Sequence, residues 1–389
     1  MVDLARPREN YASIDMMRGL AILLVTAVHV YQVIPGTSVF AKVAVYGQMG
    51  VQLFFVASAF TLCNSYAYDS GKPHRTVKFW IRRYFRIAPG YYFGIILYLI
   101  VGSFSGFQRE SHTLKNVLLN VFLVHGLAPT DANNQVMPGG WSIGTEVLFY
   151  LLFPFLFSGY SKIRRKIWLY LVPPVFLGMY YPIVLSLNHL PTSLGRWHSL
   201  LLVTNNSFSY FSFVNQMPVF LAGMSLWFLH TQGEFQRVKA WQAVVAMIVL
   251  NCMGLAFFSV FYAQAGASWQ PFILVPFMTA LGMASIFVVL QITKPRIPIL
   301  NRIGVVSYSG YLLNAFIIYV VAGSLVLHLP FVRGNIGLIC SYIVITAFLI
   351  TCATFVHSVV EKNGIRLGKY IINKTFNRAP ISRAEVVVK

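Results

Sequence analysis

Ten apolar runs, each about as long as a helix that crosses a bilayer, divide this chain. They lie at 14–34, 45–65, 88–106, 139–158, 167–187, 213–230, 240–262, 271–292, 305–326 and 335–357. Only 10% of the residues are charged whereas 57% are hydrophobic, which excludes a soluble domain of this size. The sequence therefore predicts an all-α polytopic membrane protein with about ten transmembrane helices.

The distribution of basic residues predicts how these helices are oriented. A net charge of +20 is high enough to suggest nucleic-acid binding. With the N-terminus in the cytoplasm, however, all but five of the 30 Lys and Arg residues fall on one side. The exceptions are Lys42, Arg109, Lys115, Arg196 and Arg333. This asymmetry follows the positive-inside rule, so both termini are predicted to be cytoplasmic and no nucleic-acid partner is expected.

Three stretches need separate treatment. The run 14–34 is too long for a cleavable signal peptide and lacks a small-residue cleavage site, so it is predicted to be the first transmembrane helix. The stretch 114–127 is short for a span and is predicted to be an interfacial or re-entrant helix on the outer face. Residues 1–357 form the predicted membrane domain, and 358–389 form a basic cytoplasmic tail that anionic lipid attracts.

Arg18 and His29 share the first apolar run, eleven residues apart. Eleven helical steps make about three turns plus 20°, which places both side chains on one face, about 16 Å apart along the axis. If Arg18 marks the cytoplasmic border, His29 lies near the middle of the membrane, where an ionisable group is a functional candidate. One interpretation is a histidine that packs helices together through a hydrogen bond; the other is a general base for a hydroxyl.

Three arginines, Arg82, Arg83 and Arg86, follow the second run, and Arg83 and Arg86 face the same way if this stretch is helical. They are either ordinary positive-inside anchors or a clamp for phosphate, whose oxygens guanidinium groups match in pairs. The neighbouring aromatic residues are either an interfacial belt or a surface for stacking an adenine.

Glu146 is a carboxylate well inside an apolar run, and it needs a partner or a water-filled cavity. Arg18, His29, Arg83 and Arg86 are the candidate partners. A Glu–Arg strut between helices and a catalytic role fit the sequence equally well. Trp141 and Ser142, about one turn away in the segment PGGWSIGTEVLFYLLFP, are predicted to line an acceptor pocket.

Polar residues form a stripe along the ninth run, at Ser307, Tyr308, Tyr311 and Asn314. Stripes of this kind either join helices through hydrogen bonds or line a substrate cavity. Asn215 and Gln216 have the same ambiguity. The cysteines have no paired spacing, and neither a metal site nor a nucleotide-binding loop is predicted.

Five segments, taken in order, resemble the membrane-bound acyltransferase-3 family. They are YASIDMMRGLAILLVTAVHV, GVQLFFVASAFTL, FWIRRYFRIAPGYY, PGGWSIGTEVLFYLLFP and VSYSGYLLNAF, spread from residue 11 to 316. The resemblance is strongest to bacterial O-acetyltransferases that modify the sugars of O-antigen (the lipopolysaccharide polymer) and exopolysaccharide. It implies a ten-helix enzyme of the bacterial inner membrane that transfers an acyl group, commonly acetyl from cytoplasmic acetyl-CoA, to a sugar hydroxyl on the outer side.

The family's motifs fall on particular positions of this sequence. Its arginine–histidine pattern falls on Arg18 and His29, and its basic motif on Arg83 and Arg86. Its tryptophan–serine and glutamate motif falls on Trp141, Ser142 and Glu146. Many members carry histidine where this chain has Asn314. Some relatives append an extracytoplasmic hydrolase-like domain that this sequence lacks, so transfer is expected to finish in the membrane domain or on a partner protein.

These assignments combine into one hypothesis. Arg82, Arg83 and Arg86 bind the phosphates of acyl-CoA, and Arg18 helps to position the donor. His29 acts as general base, or carries the acyl group covalently, with Glu146 paired to an arginine or tuning the histidine. The acceptor contacts are Trp141, Ser142, Tyr308 and Asn314, of which Ser142 and Asn314 are also candidate donors to the oxyanion.

The expected partners are acyl-CoA, a lipid-linked or nascent polysaccharide and membrane lipids. Two alternatives remain open. A transporter or lipid-linked sugar flippase would use buried Arg, His and Glu as a relay, although no repeat of two broken helices is evident. The second alternative is an acyltransferase that acts on a small metabolite or a lipid.

Overall fold

The computed structural model of the protein describes residues 11–105, 112–127, 135–188, 210–263, 270–323 and 334–376. Every regular element in these ranges is helical, as the sequence predicted. The α-helices are α1 (Ala12–Val33), α2 (Val39–Tyr46), α3 (Gly50–Tyr68), α4 (Arg75–Ser105), α5 (Leu114–Val121), α6 (Gly140–Ser161), α7 (Lys166–Asn188), α8 (Phe213–Thr231), α9 (Ala240–Ala263), α10 (Gln270–Thr293), α11 (Pro298–Ala315), α12 (Gly334–Val356) and α13 (Lys362–Phe376).

Within the described ranges, eight helical segments are long and apolar enough to cross a membrane. They include α1, the continuous run Val39–Tyr68 and a 43-residue run, Gly334–Phe376. The helices α7 and α8, with 23 and 19 residues, cover two further predicted spans but do not belong to the eight. A polytopic membrane protein is thereby confirmed, whereas the number ten and the cytoplasmic location of the termini stay predictions.

Helix α4 begins earlier than the third predicted span. It starts at Arg75, runs through Pro89 and has 31 residues, so the arginine cluster lies within the helix itself. By contrast, α5 has only eight residues and is about 12 Å long, which is too short to cross a bilayer. Its interfacial or re-entrant placement stays a prediction. Arg109, Arg196 and Arg333 lie outside the described residues.

The predicted tail is partly helical. Helix α12 continues through a π-helical turn, His357–Glu361, into α13, so the boundary predicted at residue 357 falls within one continuous helix. Gly364 and Gly368 of α13 pack against Pro89 and Phe85 of α4, where any side chain would collide. The stretch 362–376 is therefore joined to the membrane domain through α4.

Glycines bring the helices around α1 into backbone contact. A Cβ at Gly304 of α11 would overlap the carbonyl group of Asp15, and one at Gly19 would overlap the carbonyl oxygen of Leu300. On the other side of α1, Gly50 lies against the carbonyl oxygen of Ala21. Membrane helices associate closely through small residues because the hydrocarbon provides no hydrophobic force between them. Helix α1, which carries Arg18 and His29, is thus held between α3 and α11.

Replacing Gly304 by alanine tests this close contact. We expect Gly304→Ala to lower the free energy of unfolding by about 1–3 kcal/mol because α1 and α11 must move apart. Gly159→Ala in α6 is the matched control, since a Cβ there meets no atom within 4 Å. This control should be neutral or stabilising by up to about 1 kcal/mol. Thermal unfolding in detergent measures both, and equal transition temperatures would contradict the contact.

Candidate active site

Two cavities lie beside α1. The first, here called the arginine cavity, is open to solvent, has an empty volume of about 730 Å³ and has walls from α1, α3, α4, α6 and α11. Its polar wall residues include Arg18, Ser58, Arg83, Arg86, Glu146, Tyr150, Ser307 and Tyr308. The packing of these helices therefore brings Arg18, Arg83, Arg86 and Glu146 to one place.

The three arginines of this cavity differ in the ion pairs and hydrogen bonds that they form with other residues. Arg18 lies 3.7 Å from the carboxylate of Asp15 and donates a 3.3 Å hydrogen bond to Thr61. Arg86 forms an ion pair with Glu361. Arg83 makes no ion pair with any residue that the structure describes, and its buried Nε has no hydrogen-bond partner there. Arg83 thus has the most hydrogen-bonding capacity left for an anion.

Arg82 is set apart from its neighbours. It forms an ion pair with Asp69, which Lys72 also contacts at 2.8 Å, and it does not belong to the walls of the arginine cavity. Residues one position apart on a helix point about 100° away from each other, which separates Arg82 from Arg83. The structure therefore joins Arg83 and Arg86 but not Arg82 to the cavity.

Glu146 is held by hydroxyl groups. Ser58 and Tyr150 both donate hydrogen bonds to its Oε1, the second at 2.6 Å. Among the described residues it forms no ion pair, so neither His29 nor an arginine is its direct partner within 4 Å. The carboxylate nevertheless shares the cavity with Arg18, Arg83 and Arg86, and it partly offsets their positive charge.

Glu361 was not predicted from the sequence, yet it is 2% exposed beside the arginine cavity. It pairs with Arg86, accepts a 2.9 Å hydrogen bond from Ser309 and lies 2.8 Å from Nδ1 of His357. A His–Glu pair four residues apart at the end of an apolar run was the available signal. Glu361 was not considered a site residue because 358–389 was predicted to be a basic tail.

The second cavity, here called the histidine cavity, is also open to solvent and has an empty volume of about 840 Å³. Three amide side chains and several aromatic rings line it together with His29. They are Gln32, Gln48, Gln135, Trp141, Tyr210, Phe211 and Tyr311. Of these residues, only Trp141 and Tyr311 were predicted from the sequence to belong to a site. The glutamines were not, because they lie near the ends of the apolar runs, where polar residues are common.

The ring of His29 is fixed on one side. Its Nδ1 is hydrogen-bonded to Oδ1 of Asn314, and its ring centre lies 5.8 Å from that of Tyr319. Tyr319 belongs to a π-helical turn, Phe316–Ala322, and donates a hydrogen bond to Gln32. The hydroxyl of Tyr98 stabilises this turn, because it accepts from the Phe316 amide at 2.8 Å and donates to the Leu312 carbonyl at 3.1 Å.

Val51 and Tyr311 line both cavities, and these two side chains are here called the dividing wall. The Tyr311 hydroxyl donates to the carbonyl oxygen of Gly139 at 3.0 Å and accepts from Ser142 at 2.9 Å. Gly139 has a φ of +79°, and a Cβ there would lie 2.8 Å from the Tyr311 hydroxyl. The Pro-Gly-Gly-Trp segment therefore anchors the wall.

The four predicted acceptor contacts do not meet in one place. Trp141 lies in the histidine cavity, where its ring packs against Tyr210 and Phe211. Ser142 and Tyr308 line the arginine cavity instead. Asn314 lines neither cavity and is hydrogen-bonded to His29.

Polar residues of α3 and α8 support the aromatic side of the histidine cavity. Gln52 donates to Gln216 at 3.1 Å and to the Tyr210 hydroxyl at 3.3 Å, while Gln216 donates to the Tyr210 carbonyl at 2.6 Å. Asn215 also donates to that carbonyl, at 3.4 Å. Of the two interpretations of Asn215 and Gln216, the structure supports a network that joins helices and positions Tyr210.

A family model for an acyltransferase domain, acyltransferase-3, matches residues 11–357. The chain belongs to this family. The match spans the helices that build both cavities. Among the residues that the structure describes, no group of His, Cys, Asp and Glu could hold a metal ion.

A curated relative is the peptidoglycan O-acetyltransferase OatA of Listeria monocytogenes serovar 1/2a. It is 23% identical over 328 residues, which cover 78% of this chain and 49% of the relative. The chain thus spans about half the length of that protein. No solved structure matches the chain.

Substitution of Gly139 tests how the wall is anchored. We expect Gly139→Ala to be more destabilising than Gly71→Ala, although both glycines have a positive φ, +79° and +77°. Each change incurs the strain of a left-handed alanine, about 1 kcal/mol. Only at position 139 does the new methyl group also displace the Tyr311 hydroxyl, since a Cβ at position 71 meets nothing within 4 Å. Thermal unfolding of both variants checks this, and an equal loss would mean that Tyr311 does not depend on Gly139.

Proposed function

We propose that this acyltransferase moves an acetyl group from acetyl-CoA to a hydroxyl of a surface-polysaccharide sugar at the bacterial inner membrane. One observation carries the proposal: a cavity of arginines and a cavity containing His29 meet at a wall of two side chains. A donor and an acceptor that approach from different sides would therefore meet within reach of the imidazole.

The arginine cavity suits the anionic part of coenzyme A. Guanidinium groups bind phosphate oxygens in pairs, and Arg83 lines this cavity without an ion pair to any described residue. Val51, Phe54 and Phe55 also line this cavity, and the Phe54 ring packs against Tyr311 of the dividing wall. This apolar surface suits the uncharged arm and the thioester. The charged and apolar residues of the cavity thus match the two chemical parts of the donor.

The histidine cavity suits a sugar. Its walls carry the amides of Gln32, Gln48 and Gln135, a type of side chain that donates and accepts hydrogen bonds, as a polyhydroxylated ligand requires. The oxygens of Gln32 and Gln135 also accept hydrogen bonds from Tyr319 and from the Trp141 amide, which orients these two side chains. Trp141 and Tyr210 add aromatic faces against which the apolar face of a sugar ring can pack. The similarity to an enzyme named for O-acetylation of peptidoglycan points to the same class of acceptor.

In the proposed reaction, Nε2 of His29 takes the proton of the acceptor hydroxyl. The oxygen attacks the thioester carbon, the C–O bond forms, and the C–S bond breaks as the tetrahedral intermediate collapses. The departing sulfur receives the proton from His29, so the products are the O-acetyl sugar and free coenzyme A. A transient acetyl-histidine is the covalent variant, and a burst of coenzyme A before acceptor is added would identify it.

Replacing His29 by glutamine tests the general base. We expect His29→Gln to lower the rate of acetyl transfer by about 10²–10⁴-fold, because the amide cannot take up a proton. Stabilisation of the purified protein by acetyl-CoA should persist, since His29 does not line the arginine cavity. Mass spectrometry of the surface polysaccharide and of peptidoglycan from cells carrying either form measures the transfer and identifies the acceptor. An undiminished rate in the variant would exclude His29 as the base.

The donor site is tested by two neighbouring arginines. We expect Arg83→Ala to weaken acetyl-CoA binding about 10–100-fold, the cost of losing a charge-assisted hydrogen bond. Arg82→Ala removes the same charge from the same helix but outside the cavity, and it should change the affinity less than about threefold. The dependence of thermal stability on acetyl-CoA concentration measures both dissociation constants. Equal weakening would indicate attraction by overall charge instead of a site at Arg83.

A further inference from the structure

Asn314 contacts His29 from outside both cavities. Its Oδ1 is hydrogen-bonded to Nδ1 of His29, and its Nδ2 donates a 2.9 Å hydrogen bond to Oγ1 of Thr26. The Thr26 hydroxyl in turn donates to the carbonyl oxygen of Ile22 at 2.8 Å. Asn314 and Thr26 are 2% and 1% exposed, and neither lines the arginine or the histidine cavity. A substrate in either cavity therefore does not meet them directly.

The direction of these hydrogen bonds determines where the His29 proton lies. A primary amide has one donor end and one acceptor end, and here the donor end is engaged by Thr26. The acceptor end must then face His29, which requires a proton on Nδ1 of the ring. In the neutral imidazole the lone pair is consequently on Nε2, the nitrogen left for an acceptor hydroxyl in the histidine cavity.

We propose that Asn314, oriented by Thr26, is a positioning residue that holds His29 in the tautomer needed for a base at Nε2. This inference rests on the proposed function. A primary amide can orient the imidazole ring but cannot act as a base toward its proton. In this chain His29 is therefore the proton carrier, and Asn314 and Thr26 fix its geometry and tautomer.

Thr26 provides the most selective variants because its side chain is remote from both substrates. Thr26→Val keeps the shape but removes the hydroxyl, so the Asn314 amide loses its acceptor and is free to turn its NH₂ group toward Nδ1. We expect kcat to fall at least about 10-fold, toward the larger losses that a wrong tautomer causes, with KM for acetyl-CoA unchanged. Thr26→Ser retains the hydroxyl and should keep kcat within about threefold of the native value.

Two substitutions of Asn314 separate the acceptor oxygen from the shape of the side chain. Asn314→Asp keeps an oxygen opposite Nδ1 and should retain measurable transfer. Asn314→Leu fills a similar volume without an acceptor and should lose about 10²-fold or more of kcat. Thermal unfolding, with and without acetyl-CoA, shows for each variant that the fold and the donor site persist. If Asn314→Leu and Asn314→Asp were equally active, the proposed role of the oxygen would be excluded.

The tautomer itself can be observed without any turnover. Nitrogen NMR of protein labelled with ¹⁵N-histidine distinguishes a protonated from an unprotonated ring nitrogen, and comparison with His29→Gln identifies the signals of His29. We expect a protonated Nδ1 in the native protein and in Thr26→Ser, and a partial or complete change to a protonated Nε2 in Thr26→Val. A native ring protonated at Nε2 would overturn the inference.

The experiments distinguish a failure of the proposed function from a failure of the positioning role. Native protein that transfers no acetyl group would contradict the proposed function, while the spectrum would still decide the tautomer. Active native protein whose Thr26→Val variant keeps both the native kcat and the native spectrum would contradict the positioning role alone.

Discussion

A polar side chain inside a bilayer is costly unless another protein group or a polar cavity receives it, and this constraint organises the centre of the structure. Helix α1 carries Arg18 and His29 about three turns apart. Arg18 contacts Asp15 and Thr61, and His29 contacts Asn314. The remaining capacity of each side chain is directed into a cavity. The groups that stabilise these residues in the membrane are therefore the same groups that orient them.

The arginines of helix α4 differ in their partners. Arg82 forms an ion pair with Asp69, and Arg86 forms one with the buried Glu361. Arg83 lines the arginine cavity and forms no ion pair with a described residue. Helix α13 packs against α4 at Phe85 and Pro89, through Gly364 and Gly368. This stretch therefore belongs to the packing around the arginines, although its sequence resembles a surface tail.

The sequence was most informative where a simple periodicity operates. Apolar run lengths predicted a helical membrane protein, and helical spacing predicted that Arg83 and Arg86 would lie together. It was less informative where a contact joins distant segments. Nothing in the local sequence pairs Asn314 with His29 across 285 positions, or assigns Gln135 to the same cavity as Gln32. Glu146 had four charged candidate partners, whereas its hydrogen bonds come from the neutral hydroxyls of Ser58 and Tyr150.

The arrangement at Val51 and Tyr311 has a consequence for water and protons. Two polar cavities that were continuous would give water and protons a path into the low-dielectric barrier. Val51 and the hydrogen-bonded Tyr311 lie where the two cavities meet. These two side chains therefore determine how freely water and protons can pass from one cavity to the other.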